Sequence, residues 1–218
     1  MKKLVIFDLD GTLLDTIADL AESANYALKQ LGYPTHDVET IRTFVGNGIN
    51  KLLFRALPDE EKTEENMMRM RTHFVPYYDV HNADLSAPYP GIASLLEELQ
   101  AKGLMIAVAS NKYQAATEKI VAHFFPGMFD VVLGERENVA RKPDPQIFAL
   151  GVEALGMLPE EVVVVGDSYG KDMAPAHSLG CHTVWIKGQG WDATDEPADT
   201  SCADRIIDSL EKLKGCEL

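Results

Sequence analysis

Apolar positions along the chain follow two different periods. Short β-rich runs recur at Leu4–Phe7, Leu104–Ala109, Val131–Leu133, Val162–Val165 and Thr183–Ile186, each of the length of a buried strand. Between several of them lie stretches with helical spacing, which predict helices over Ile92–Lys102, Gln114–Phe124, Gln146–Leu155 and Met173–Leu179. Each is long enough to carry the chain back across a parallel sheet. A last helix is expected from Ala203 to Leu213, with Ala203, Ile206, Ile207, Leu210 and Leu213 on one face packing on that sheet.

The chain between Asp10 and Leu104 is far too long for one crossover. From Ile17 the positions Leu20, Ala21, Ala24, Leu28 and Leu31 form a helical stripe that stops at Gly32. Further helices are predicted over Val38–Phe44, Gly48–Leu57 and Glu60–Tyr77, and no segment there alternates like a strand. Pro88, Pro90 and Gly91 suit a hinge at the exit. The expectation is therefore an α/β fold, a Rossmann-like parallel sheet flanked by helices. Residues 1–14 and 86–218 form this core, and an all-helical domain, residues 15–85, is inserted into it. The polar, Gly-rich stretch 187–200, which contains Trp191, reads as a surface loop.

Composition narrows the function. The chain has 218 residues, and 34 acidic against 20 basic side chains leave a net charge of -14. That balance disfavours a nucleic-acid backbone or an anionic membrane as partner. The apolar run before Asp8 is too short for an export signal, and nothing approaches the roughly 18 apolar residues that span a bilayer. Cys181, Cys202 and Cys216 lack the spacing of a disulfide framework or a zinc knot. A cytoplasmic protein is expected. The six histidines are scattered without metal-ligand spacing.

Polar residues follow four of the apolar runs: Asp8 and Asp10, Ser110 and Asn111, Gly134 and Glu135, and Asp167. Such residues also cap helices or form turns. In an open parallel sheet, however, the crevice beyond the carboxyl ends of the strands is where ligands bind, and these groups would converge there. Asp8 and Asp10 share one side of an extended segment, with Leu9 on the other. Gly11 and Thr12 then turn the chain with backbone donors close by. A divalent cation would offset the repulsion of the two carboxylates, leaving one to attack an electrophile while the other handles protons. Asp167 and Asp172 add a second acidic pair, and oxygen-only ligands favour Mg2+. Lys142, held between Arg141 and Pro143, would serve as a fixed cation for a phosphoryl group, although an Arg-Lys pair before a helix is also a common surface feature.

Asp8-Leu9-Asp10-Gly11-Thr12, Ser110-Asn111, Lys142-Pro143, and Gly166-Asp167-Ser168 with Asp172 resemble, in that order, the four motifs of the haloacid dehalogenase-like hydrolase superfamily. The helical insert resembles that superfamily's cap domain, so the resemblance covers the whole chain. Asp15-Thr16, Val45-Gly46-Asn47-Gly48, Pro88-Tyr89-Pro90-Gly91, Ser110-Asn111-Lys112 and the segment from Gly134 to Pro145 resemble the phosphoglycolate phosphatase branch.

The resemblance implies roles. Asp8 is the nucleophile and Asp10 the acid and base. Ser110 and Lys142 act on the phosphoryl group, and Thr12 and Asn111 lie on the substrate side. Asp8, the Asp10 carbonyl, Asp167 and Asp172 ligate Mg2+. Asp167 and Asp172 stand five positions apart where many members of the branch have four, so Asp172 is open to displacement outward. In the cap, Asn47 between two glycines would meet the substrate, and Arg42 or Lys51 would face an acidic leaving group; an ordinary interhelical turn fits the same residues. The function implied is an Mg2+-dependent phosphatase acting on a small phosphorylated metabolite, with no obligate protein partner, as a monomer or weak dimer. A pyrophosphatase or nucleotidase, a β-phosphoglucomutase-like phosphomutase, or a non-catalytic phosphate-binding module are the alternatives. Asp10 argues against a dehalogenase, whose chemistry needs no acid at that position.

Overall fold

The computed structural model describes residues 1–188 and 197–215. Its strands are β1 (Leu4–Phe7), β2 (Leu14–Asp15), β3 (Ala87–Pro88), β4 (Met105–Tyr113), β5 (Val131–Glu135), β6 (Val162–Gly166), β7 (His182–Ile186) and β8 (Arg205–Ile207). Its α-helices are α1 (Ile17–Gln30), α2 (Val38–Arg42), α3 (Ile49–Ala56), α4 (Glu64–His81), α5 (Ile92–Ala101), α6 (Gln114–Phe124), α7 (Gln146–Ala154) and α8 (Ala174–Ser178). The chain forms two compact units, Met1–Leu14 with Pro88–Leu218, and Asp15–Ala87. Where it passes from one to the other, β2 and β3 pair as a two-stranded ribbon.

The α/β unit is organised by a six-stranded sheet in the order β5-β4-β1-β6-β7-β8, parallel at every pairing. Its central strands are covered on both faces, which is why they read as unbroken apolar runs. Val5, Phe7, Ile106, Val108, Val163 and Val165 pack with Leu95, Leu96 and Leu99 of α5 and Ile120 of α6. Leu4, Ile6, Ala107, Val162 and Val164 pack on the other face with Ile147, Phe148 and Val152 of α7. Successive residues of β1 thus serve two different cores, so a one-residue slip would exchange the two sets. That requirement pins the register, and with it the strand ends that carry the polar residues.

The expected helix over residues 203–213 is not formed. Arg205–Ile207 extends the sheet as β8, and a 3₁₀ turn covers Leu210–Leu213. Ile207, Leu210 and Leu213 still enter the core, but Ile206 is 48% exposed. Apolar spacing alone fits both arrangements. The open edge of β7 decides, with Asp204 as the tie: its carboxylate accepts from the Thr183 backbone N–H at 2.8 Å and the Thr183 hydroxyl at 3.0 Å. Within the expected loop 187–200, residues 189–196, including Trp191, lie outside the described residues, as does Cys216.

In the helical unit, α1 buries Ile17, Leu20, Ala21, Ala24, Ala27 and Leu28, and α4 buries Met67, Met70, Phe74 and Tyr78. The predicted helix from Glu60 is divided in two. A 3₁₀ turn spans Asp59–Glu61, and α4 starts afresh where the Thr63 side chain accepts from the Asn66 N–H, a cap that outranks helical continuity. Asp19 on α1 is 1% exposed. Its carboxylate accepts from the backbone N–H groups of Leu85 and Ser86, at 2.9 and 2.8 Å, and from the Ser86 hydroxyl at 2.5 Å. The last residues of the unit are thereby tied to its first helix.

Candidate active site

Sheet register builds the site. Phe7, the last residue of β1, pairs with Val108 on one side and Val165 on the other, so Asp8 leaves β1 level with Ala109 of β4 and Gly166 of β6 at the carboxyl edge of the sheet. The Asp8 N–H still donates to the Val165 carbonyl at 2.9 Å. This is the topological switch point, since β4 and β6 flank β1. Carboxylate oxygens of Asp8, Asp167 and Asp172 lie within 4.8 Å of one another, and all three residues are buried.

Lys142 Nζ lies 2.7 Å from Asp8 Oδ1 and 2.7 Å from Asp172 Oδ1. Burial pushes the Asp8 carboxyl up to about 7; Lys142 opposes that rise, and the nearby Asp172 and Asp10 charges add to it. For Lys142, burial favours the neutral amine, but the Asp172 and Asp8 carboxylates outweigh it and hold the ammonium above its ordinary range. One lysine among three clustered carboxylates leaves uncompensated negative charge in a desolvated place. A divalent cation relieves that imbalance, and an all-oxygen donor set suits a hard one. The residues present therefore fit a metal.

The additional residue between Asp167 and Asp172 does not push Asp172 outward. Tyr169–Met173 forms a π-helical turn, in which the Ala174 N–H reaches back to the Tyr169 carbonyl, and this wider turn absorbs the insertion. Asp172 ends fully buried, with its Oδ2 accepting from the Ser168 N–H at 3.1 Å. Gly166 is required for this: a Cβ there would collide with the Asp172 carboxylate.

Other predicted site residues are engaged in ways that spacing alone does not reveal. The Asn111 amide brackets Lys142, accepting from its N–H at 2.9 Å and donating to its carbonyl at 3.0 Å. The Thr12 hydroxyl donates to Asp167 Oδ1 at 3.0 Å. Both therefore orient the charged cluster itself. Ser110 is 1% exposed, and its Oγ accepts from the Lys112 N–H at 3.1 Å. Ser110 and Asn111 do not follow β4 as expected but lie within its irregular end, where pairing to β5 shifts between Ala109 and Tyr113.

Two residues at the candidate site, one of them quoted above in Ser110-Asn111-Lys112, were given no role from the sequence. Lys112 Nζ is 2.9 Å from Asp10 Oδ1; its position beside Ser110-Asn111 was the available signal. Trp185 Nε1 donates to the Asp167 carbonyl at 2.9 Å, and nothing in the sequence pointed to it. Arg42 and Asn47 belong to the helical unit. Arg42 Nε pairs with Glu39 Oε2 of its own helix at 3.3 Å. Asn47 sits between Gly46 and Gly48, whose φ values of 94° and 78° require glycine, in a turn whose Phe44 carbonyl accepts from Arg55 Nη1 at 2.9 Å.

The model of a family described as haloacid dehalogenase-like hydrolase matches residues 5–186. The chain belongs to that family. Its helical unit is the family's inserted cap, and the protein is a phosphatase-type hydrolase of the phosphoglycolate phosphatase branch. A phosphoglycolate phosphatase of Haemophilus influenzae (strain 86-028NP) is 35% identical over 97% of this chain and 96% of its own length. Another, of Chromobacterium violaceum, is 34% identical over 97% and 94%. Among solved structures, a predicted phosphoglycolate phosphatase of Haemophilus somnus superposes with a TM-score of 0.85 at 33% identity, covering 95% of this chain and 94% of that one. Among the described residues no helix is long and apolar enough to cross a membrane.

Proposed function

We propose that this hydrolase is an Mg2+-dependent phosphatase for a small acidic phosphate monoester of the phosphoglycolate type, acting through an aspartyl-phosphate on Asp8. The observation that carries the reading is the Asp8 carboxylate, buried at a strand end and held 2.7 Å from Lys142 within a carboxylate cluster. The substrate class is supported by the names of relatives that match nearly the whole chain at 34–35% identity.

Asp8 attacks phosphorus, and the bond to the leaving oxygen breaks as Asp10 donates its proton to that oxygen. Asp10, now ionised, takes a proton from the water that attacks the aspartyl-phosphate, and the phosphorus bond to Asp8 breaks. Ser110 donates to a phosphoryl oxygen. Lys142, oriented by Asn111, balances charge on Asp8 and on the transferring group. Thr12 and Trp185 steady Asp167. Asp8, the Asp10 carbonyl, Asp167 and Asp172 would hold Mg2+, which supplies Lewis-acid stabilisation of phosphoryl charge. In the cap, taken as residues 15–85, Asn47 and Arg42 recognise the acidic leaving group. Sparse cysteines support a cytoplasmic setting.

The test is a steady-state comparison of kcat/KM with Mg2+ over phosphoglycolate, pyrophosphate, nucleoside monophosphates and sugar phosphates. Phosphoglycolate should give the highest value. A clear lead for pyrophosphate or a nucleotide would transfer the protein to that substrate class.

A further inference from the structure

We propose that Lys112 is a positioning residue for Asp10, fixing the carboxylate that donates and accepts protons in the phosphatase reaction. The proposal rests on the phosphatase reading above and adds to it a group that none of the four motifs contains. The first observation is the buried ion pair: Lys112 Nζ stands 2.9 Å from Asp10 Oδ1, with side-chain exposures of 5% and 12%.

The second observation is how firmly Lys112 is anchored. Its N–H donates to Ser110 Oγ at 3.1 Å, and its carbonyl accepts from the buried Thr117 hydroxyl at 3.1 Å. The irregular end of β4, between Ala109 and Tyr113, supplies the local backbone in which both contacts form. Lys112 is thus set in place from the sheet and is not a surface cation that happens to fall within range.

The third observation is the division of charge. Lys142 pairs with Asp8 and Asp172, whereas Lys112 pairs with Asp10. One ammonium serves the phosphoryl-accepting side and the other the proton-transferring side. Proton transfer requires the Asp10 oxygen within hydrogen-bond reach of the leaving oxygen and later of water, and a misplacement of about 1 Å can cost up to ~100-fold. In this desolvated site the ammonium restricts the torsions of Asp10 in both of its forms, as an ion pair when it is ionised and through Oδ1 when the acid proton is carried on Oδ2. Lys112 makes and breaks no bond and keeps its protons throughout; its effect passes entirely through Asp10.

The experiment uses the full chain with Mg2+ and compares wild type with Lys112→Met, Lys112→Arg, Asp10→Asn and the double variant Asp10→Asn/Lys112→Met. Lys112→Met should lower kcat on the preferred phosphate ester about 10- to 100-fold, with KM and half-saturating Mg2+ within about threefold. Lys112→Arg should recover part of the loss. In the Asp10→Asn background, Lys112→Met should cost nothing further, the non-additivity of two residues acting as one unit. Unchanged kcat in Lys112→Met, or an equal additional loss in the Asp10→Asn background, overturns the proposal. A rise in KM confined to acidic leaving groups, with kcat kept, also overturns it and makes Lys112 a substrate reader. Should Lys112→Met fail to fold by thermal melt, Lys112→Gln and Lys112→Arg carry the same comparison. Failure of the underlying reading looks different: the wild type then turns over no phosphate ester, or Asp10→Asn retains full turnover.

Discussion

The α/β unit and the helical unit bring their polar groups together over different spans of chain. In the α/β unit the bonds at the site join remote parts of the chain: Lys142 to Asp8 across 134 positions and Thr12 to Asp167 across 155. In the helical unit, Asp37 with Thr40 and Thr63 with Asn66 are three positions apart, and Arg42 pairs with Glu39 of the same helix. The tie from Asp19 to Ser86 spans 67 positions. A sheet buried on both faces can afford remote convergence, because its register is set by two cores at once. The helical unit combines such local caps and glycine turns with bonds of intermediate span, Tyr33 to Glu61 across 28 positions and Asn25 to His36 across 11. The difference implies that chemistry resides on the preorganised unit and that the other can vary around it.

The strongest way to test that division is Asp8→Asn, which removes the proposed nucleophile while leaving the sheet intact. Turnover with Mg2+ should fall at least ~10⁴-fold, with the far-UV spectrum unchanged; retained turnover would break the comparison at its base. Next in size is Asp19→Ala. It strands the Leu85 and Ser86 N–H groups and the Ser86 hydroxyl, at a cost of about 2–4 kcal/mol in a urea titration, without altering Mg2+ affinity. A loss of Mg2+ affinity there would show that the two units are not separable in this sense. Asn47→Ala and Arg42→Ala are expected to be milder, raising KM for an acidic phosphate ester about tenfold, or ~1.4 kcal/mol, while an uncharged aryl ester is unaffected.

The smallest effect concerns stability and pH in the metal-free protein. The Asp8 carboxyl is raised from 3.8 to about 7 by burial, so the folded state binds that proton more tightly than the unfolded chain does. Its contribution to stability is complete below pH ~4 and is lost as pH rises through about 7. Asp8→Asn removes the ionisation, so the metal-free variant should melt above wild type at pH 8, with the gap closing toward pH 4. Equal melting temperatures at pH 8 would show that the Asp8 carboxyl is not raised in the folded protein.

Much of the fold was legible because burial imprints itself on local sequence. Val162–Val165 is an unbroken apolar run because α7 lies on one face and the other core on the opposite one, and the stripe from Ile17 to Leu28 is helical because only one side of α1 is buried. Residues 205–213 were misread because their apolar spacing serves a helix and a strand followed by a turn equally well; the choice depended on an unfilled edge of β7 that lies elsewhere in the sequence. Within the candidate site, Asp8, Asp10 and Asp167 were legible by residue type and position after strands, and Lys142 by its setting between Arg141 and Pro143 before a helix. The partners of Asn111 and Thr12 were not, since an amide or hydroxyl near a phosphate site bonds equally well to substrate or to protein.

The sequence by itself determined the alternation of strands and helices, the inserted helical unit and the identity of the acidic and basic groups at the strand ends. Periodicity, turn residues and side-chain chemistry are local properties, and they survive without knowledge of any partner. Only the tertiary structure decided that Asp172 stays in the cluster, through a π turn and a glycine that leaves room for its carboxylate. It alone gave the two buried lysines different carboxylates to hold. Those outcomes depend on which groups meet after the sheet has closed and water has been excluded, where a distance of 2.7 Å between Lys142 and Asp8 carries a weight that no spacing along the chain can express.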